Sequence, residues 1–444
     1  MESQDKLRCR FHITPPKGWL NDPNGLCKLK GVYHTFFQYS PDYPHDKNKS
    51  WGHYVSCDLV NWNFVGVALE PDSMWDKEGV FSGSAIVEYE SMTLFYTGNV
   101  MSEGESNTIR VISEDGIKIG EKVCVMDNDD YPEGYTVHIR DPKVWKEGDT
   151  FCMVLGARSN DDKGNALFFN SSDGIYWKFF QAITTENKFG YMWECPDVFA
   201  INNRAFLSCC PQGVSPEEFR FQNKHLAGYF PMEEGFVDII DESGFREWDF
   251  GFDFYAPQTF LDDTGRRILI AWAGGPEIEQ YDVPTLEKEK WMNMLTLPRE
   301  ITEKDGILYQ YPVSEISNLR CNKREISKGQ WNEVIGNCFD WEIKISDKGA
   351  SGIIINITRD IKLSYKEKVL ALEFTGNIGG GRTSRRVICE EINDIRIVVD
   401  KSIIEIFINK GEISMTSQFY PEEEKMVVMA SAQIKENSMW DLFE

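Results

Sequence analysis

Residues 22–40 read DPNGLCKLKGVYHTFFQYS. A proline break, a short apolar run, a turn and a longer apolar run follow one another. The same layout returns in SGSAIVEYESMTLFYTGN (82–99), DPKVWKEGDTFCMVLGA (141–157), CPDVFAINNRAFLSCCPQG (195–213) and APQTFLDDTGRRILIAWAGG (256–275). The breaks at Pro23, Gly83, Pro142, Pro196 and Pro257 recur every 54–61 residues. A weaker echo places Ser-x-Asp ahead of a tryptophan in SCDLVNW (56–62) and SSDGIYW (171–177). Short apolar runs bounded by turn residues are strands, and a period of about four strands is that of a propeller blade. The chain is therefore expected to be all-β, with residues 1–305 forming a five-bladed β-propeller. Within the first unit, Asn24-Gly25 reads as a tight hairpin turn, and Asp22 is held extended by Pro23.

Beyond residue 305 the pattern changes. YPVSEISNLRCNK reads as a short helical connector, so residues 306–325 are expected to be a linker. VLALEF, IRIVVD and IIEIFINKGE are β-branched runs joined by turns at Asp400-Lys401 and Asn409-Lys410-Gly411. They predict a β-sandwich over residues 326–444, and this part contains no acid framed like Asp22-Pro23, so its role is support.

The bulk numbers narrow the function. A formal net charge of −24 over 444 residues opposes binding to nucleic acid or to an anionic membrane. The N-terminal residues lack the apolar stretch of a secretory signal, and no run approaches the ~18 apolar residues of a membrane span. The 11 cysteines are scattered without a CxxC pair and read as reduced, buried hydrophobes. A cytoplasmic protein is expected. The 6 histidines form no metal spacing, so no metal site is expected. GGGRTSRR (379–386) lacks the Gly-Lys-Ser/Thr ending of a phosphate loop and reads as a mobile hairpin loop.

Three of the five repeat starts carry an acid at the break: Asp22, Asp141 and Glu194. The other two carry Ser82 and Ala256. Equivalent positions of successive blades converge on the propeller axis, so the three acids are expected in one pocket. Crowded carboxylates push their pKa values apart, which suits cleavage of a glycosidic bond, where one carboxylate attacks and a raised one donates a proton.

WLNDPNG (19–25), FSGSA (81–85), RDPKVW (140–145) and WECPD (193–197), in this order, resemble the signature segments of glycoside hydrolase family 32, the β-fructosidases. GFDFYAPQTF (251–260), LTLPRE (295–300) and DKSIIEIFIN (400–409) extend the resemblance over nearly the whole chain. The resemblance implies a retaining β-fructofuranosidase acting on sucrose or sucrose 6-phosphate, with no cofactor. Alternatives are an exo-acting fructan hydrolase and a catalytically silent sugar-binding propeller. It implies Asp22 as nucleophile and Glu194 as general acid and base, with carboxyls about 5–5.5 Å apart. Asp141 is implied to hold fructose hydroxyls, with Asn21, Gln38 and Arg140 as donors. Phe81 and Ser82 are expected to line the same subsite, and Trp19, Trp51, Tyr255 and Trp272 to offer apolar walls. The chain departs from the family in SPDYPHDKNKSWGHY, where Asp46 stands near the place of a second tryptophan. Lys47 and Lys49 of that loop are candidates for a phosphate, and His12 and His53 are read as scaffold.

Overall fold

The computed structural model describes residues 5–232, 237–334, 336–345, 352–423, 425–431 and 434–443. Among these, residues 18–312 form five successive sheets, each opening on one repeat start. The lead strands are Gly18–Leu29, Val80–Glu88, Tyr135–Glu147, Met192–Ile201 and Tyr255–Leu261. Each lead strand packs against the next, and the fifth returns to the first. The circle is closed by Trp291–Met292, which pairs in parallel with Gly18–Trp19 at the edge of the first sheet. Apolar side chains fill the spaces between neighbouring sheets. Phe36, Trp51, Leu94 and Tyr96 lie in one such layer, and Phe95, Met153, Leu155 and Phe169 in the next.

All five lead strands break register with their partners at the same place: Leu20/Pro23, Val80/Gly83, Arg140/Lys143, Glu194/Asp197 and Tyr255/Gln258. In four of the five sheets the break falls at a proline, which has no N–H to sustain a ladder, and in the second it falls at Gly83. Asp141, Cys195 and Ala256 accordingly sit at φ of 65°, 46° and 48°. Asn24-Gly25 is part of this irregular strand and is not a hairpin turn; Lys30 and Gly31 make that turn. Asn24 is buried and ties strands together, donating to the Asp22 carbonyl and accepting from the Gly83 N–H. Gly25 has φ of 55°, and a Cβ there would lie 2.7 Å from the Phe36 ring. The Ser-x-Asp echo is a turn in which Asp58 and Asp173 each accept from two backbone N–H groups.

The second part is a β-sandwich of two six-stranded sheets. Asp394–Asp400 and Ile403–Ile408 are buried on both faces. Ile397, Val399, Ile404 and Ile406 face the sandwich core, whereas Val398, Ile403 and Phe407 pack on the first part. The expected linker at 306–325 is largely taken up by strands: Ile307–Pro312 belongs to the fifth sheet, and Arg320–Arg324 joins the sandwich. The turn of helix Ser314–Leu319 lies between them. GGGRTSRR is likewise no free loop. Arg382 is buried, pairs with Asp253 and donates to the Gln418 carbonyl, while Arg385 bonds Asn223.

Buried charge fixes the junction. Arg299 has no exposed surface and meets Glu405 at 3.0 Å, Asp249 at 3.3 Å and Gln310 at 2.7 Å. His12, also fully buried, lies 2.9 Å from Asp400 and 3.4 Å from Glu405. Burial opposes its charge, but the two carboxylates prevail and lift its pKa to about 9. An unfolded histidine titrates near ~6.5, so the imidazolium stabilises the fold fully below that pH and ceases to do so as pH rises through about 9. At about 1.4 kcal/mol per pKa unit the contribution is roughly 3 kcal/mol. His12→Gln is expected to lower unfolding free energy by about that amount at about pH 6, with the gap to the wild type closing by about pH 10. Urea titrations at both pH values check this, and a gap that stays constant contradicts it.

Candidate active site

The repeated break turns three acidic side chains toward one another. Asp22, half-buried, accepts from Asn21 Nδ2 at 3.1 Å and from the Ser82 hydroxyl. Asp141, buried, accepts from the Cys195 N–H at 2.9 Å, and its own N–H donates to Thr97 at 2.8 Å. Glu194 accepts from Arg140 Nη2 at 2.7 Å and Nε at 3.1 Å, from Tyr255 Oη at 2.6 Å and from Gln212 Nε2. The Cys195 thiol stands between the two aspartates, 3.6 Å from Asp22 Oδ2 and 3.7 Å from Asp141 Oδ2. Three carboxylates from three sheets thus share one pocket.

A polar net holds Asp22 in place. Trp19 Nε1 donates to Asn21 at 2.8 Å, Asn21 donates to Gln38, and Gln38 donates to Ser82 at 3.0 Å. Behind it, Trp19 meets Trp272 edge-on, and Trp272 meets Tyr255 in the same way.

The electrostatics separate the acids. Burial pushes the Asp22 carboxyl up, the charge of Glu194 adds to this, and bonds from Ser82 and Asn21 oppose it. Burial also raises Asp141, to about 7, against the pull of Arg140 and with the repulsion of Glu194 and Asp22. Glu194 goes the other way. Burial would raise it, but Arg140, Tyr255 and Gln212 together hold it below the ordinary carboxylate range. The separation expected from the sequence is present, with the sign at Glu194 reversed: it is the acid held below the ordinary range.

A family model of the glycosyl hydrolases family 32 N-terminal domain matches residues 12–312, and one of the family 32 C terminal matches residues 329–441. The chain belongs to glycosyl hydrolase family 32. The sucrose-6-phosphate hydrolase of Bacillus subtilis is 37% identical over 97% of this chain and 92% of its own length. That of Vibrio alginolyticus is 37% identical over 96% and 89%. Among solved structures, the sucrose-6-phosphate hydrolase from Lactobacillus gasseri is similar with a TM-score of 0.90 at 27% identity, covering 98% of this chain and 93% of that one. The Bombyx mori GH32 beta-fructofuranosidase gives a TM-score of 0.86 at 27% identity, covering 100% and 96%.

In this family 32 chain, Asn21, Gln38, Ser82, Arg140 and Tyr255 all reach the acids directly or through one another. Phe81, half-buried, adjoins Ser82. Trp51 does not line the pocket. It is fully buried between Phe36 and Tyr96, and its Nε1 donates to the Phe81 carbonyl at 3.0 Å, so it shapes the wall from behind. Trp272 is also almost wholly buried. The sequence reading missed Gln212, Thr97 and Cys195 as neighbours of the acids. Gln212 ends the strand paired with Met192–Ile201, and that pairing was the available signal. His12 and His53 are both buried away from the three acids, His12 paired with Asp400 and Glu405 at the junction and His53 stacked on Phe36. Among the described residues, Cys9, His12 and Asp400 hold ligand atoms within 4.8 Å of one another. The Asp400 oxygens there already accept from the N–H groups of Arg10, Phe11 and His12. No helix among the described residues is long and apolar enough to cross a membrane.

Because Trp51 works through packing, Trp51→Ala is expected to cost about 3–5 kcal/mol of stability. Denaturant unfolding measures this, and a cost below about 1 kcal/mol contradicts the buried placement.

Proposed function

We propose that this chain is a retaining β-fructofuranosidase that hydrolyses sucrose or sucrose 6-phosphate, releases fructose and works in the cytoplasm. The observation that carries the reading is the meeting of Asp22 and Asp141 at the Cys195 thiol, with Glu194 joined to Asp141 through Arg140. The sucrose-6-phosphate hydrolases that the chain resembles over nearly its full length support the substrate class. A small carbohydrate also suits a protein of net charge −24 better than any polyanion does. In this reading the five sheets are propeller blades, the part up to Pro312 is catalytic, and the part from Arg320 supports it.

The Asp22 carboxylate attacks the anomeric carbon of the fructosyl group as the bond to the bridging oxygen breaks. Glu194 gives its proton to that oxygen, and the glucosyl part leaves as an alcohol. Water then gives a proton to Glu194 while its oxygen attacks the same carbon, and Asp22 departs as a carboxylate. Two displacements at one carbon retain configuration. Asp141 accepts from fructosyl hydroxyls, and Asn21, Gln38 and Arg140 donate to them. Glu194 must be protonated for the first step. Sugar hydroxyls that draw Arg140 away release its hold, and burial, the largest influence on Glu194, then favours the acid form.

Asp22→Ala and Glu194→Gln are each expected to lower kcat by roughly a thousandfold or more, because nucleophile and acid act as a unit. Fructose release assayed on folded variants measures this, and a loss of less than about tenfold in either contradicts the assignment. Tyr255→Phe removes one bond that holds Glu194 ionised, so its carboxyl rises and the alkaline limb of kcat/KM moves to higher pH. A limb that does not move argues against Glu194 as the acid.

A further inference from the structure

The loop 41–50 replaces an expected aromatic wall with charge, and its two lysines have different fates. Lys47 is exposed, 3.0 Å from Glu279, and lies 5.3 Å from the Tyr43 ring centroid. Tyr43 also bonds Glu279, so Lys47, Tyr43 and Glu279 form a closed and neutral group. Lys49 is half-buried, and among the described residues it makes no ion pair and donates no hydrogen bond. Its ammonium lies 4.9 Å from the Trp19 ring centroid. Trp19 is the residue whose indole N–H holds Asn21, which in turn holds Asp22.

The backbone fixes this placement. The Lys49 carbonyl accepts from the Val80 N–H at 2.8 Å, just ahead of Phe81 and Ser82 in the lead strand of the second sheet. Lys49 therefore bridges the first and second sheets at the pocket, where Asp22 and Glu279 are the acids whose charge reaches it. Glu279 is already engaged. The other cation at the site, Arg140, is committed to Glu194 and to His138. An unpaired ammonium partly withdrawn from bulk water costs free energy that an arriving counter-ion offsets. Burial lowers its pKa to about 8, which leaves it mostly protonated at neutral pH. In a chain of net charge −24, a cation without an ion pair among the described residues, beside the reacting carboxylates, is a place for an anionic group of the substrate.

We infer that Lys49 is the cation of a phosphate subsite beside the pocket, and that it sets a preference for a phosphorylated over a neutral disaccharide. The inference rests on the β-fructofuranosidase reading of the same pocket. Its rival is that Lys49 serves only to keep Asp22 ionised, which would matter equally for both substrates.

The experiment measures kcat/KM on sucrose and on sucrose 6-phosphate for wild type, Lys49→Met, Lys49→Arg and Lys47→Met. The wild type is expected to prefer sucrose 6-phosphate. Lys49→Met is expected to cut that preference roughly ten- to a hundredfold, as for loss of a charge-assisted hydrogen bond. Lys49→Arg is expected to restore most of it, and Lys47→Met to leave the ratio within about threefold. An equal fall on both sugars in Lys49→Met, or an unchanged ratio, overturns the inference. A wild type that cleaves neither sugar overturns the underlying functional reading instead. Thermal unfolding of the variants separates misfolding from a change in specificity.

Discussion

Everything at the site follows from one constraint: three carboxylates that repel one another are held in a common pocket by the backbone. The breaks at Pro23, Pro142 and Pro196 are not free to relax, because each lies in a lead strand packed between two sheets. The surrounding residues make the crowding tolerable. Arg140 neutralises Glu194, the Ser82–Gln38–Asn21 net steadies Asp22, and the Cys195 N–H and thiol serve Asp141. The result is an ordered set of acids, one lowered and two raised, instead of three equivalent ones.

The β-sandwich is part of this arrangement. Buried Arg299 meets both Asp249 of the first part and Glu405 of the second, and Glu405 also faces His12. Asp253 lies two residues before Tyr255 and is gripped by Arg382 of the sandwich. The strand that delivers the Tyr255 hydroxyl to Glu194 is thus clamped from the far side. Such buried pairs are costly to break, since removal of one partner strands a charge in low dielectric. That cost ties the two parts together.

The all-β class, the sandwich and the meeting of the three acids were legible in the sequence, because a break repeated at nearly constant spacing marks equivalent places in equivalent sheets. Local reading failed where a tertiary contact overrode a local signal. Asn24-Gly25 has the chemistry of a hairpin turn, yet its φ > 0 is spent on a bulge against Phe36. GGGRTSRR looks like a loose loop until Arg382 finds Asp253. Trp51 resembles a pocket wall, but only the packing of the first two sheets shows that its indole faces inward. The lowered Glu194 was also out of reach, since it depends on Arg140 turning onto it, with Tyr255 and Gln212 arriving from neighbouring strands.

The claim on which the account turns is that the break at Pro23 presents Asp22 as a nucleophile. The direct measurement is mass spectrometry of peptides from the wild-type enzyme, mixed with sucrose 6-phosphate and quenched in acid during turnover. The account predicts that the peptide containing Asp22 gains the mass of one fructosyl group and that this gain disappears in Asp22→Ala. A fructosyl group on the peptide of Asp141 or Glu194, with the Asp22 peptide unmodified, would contradict it.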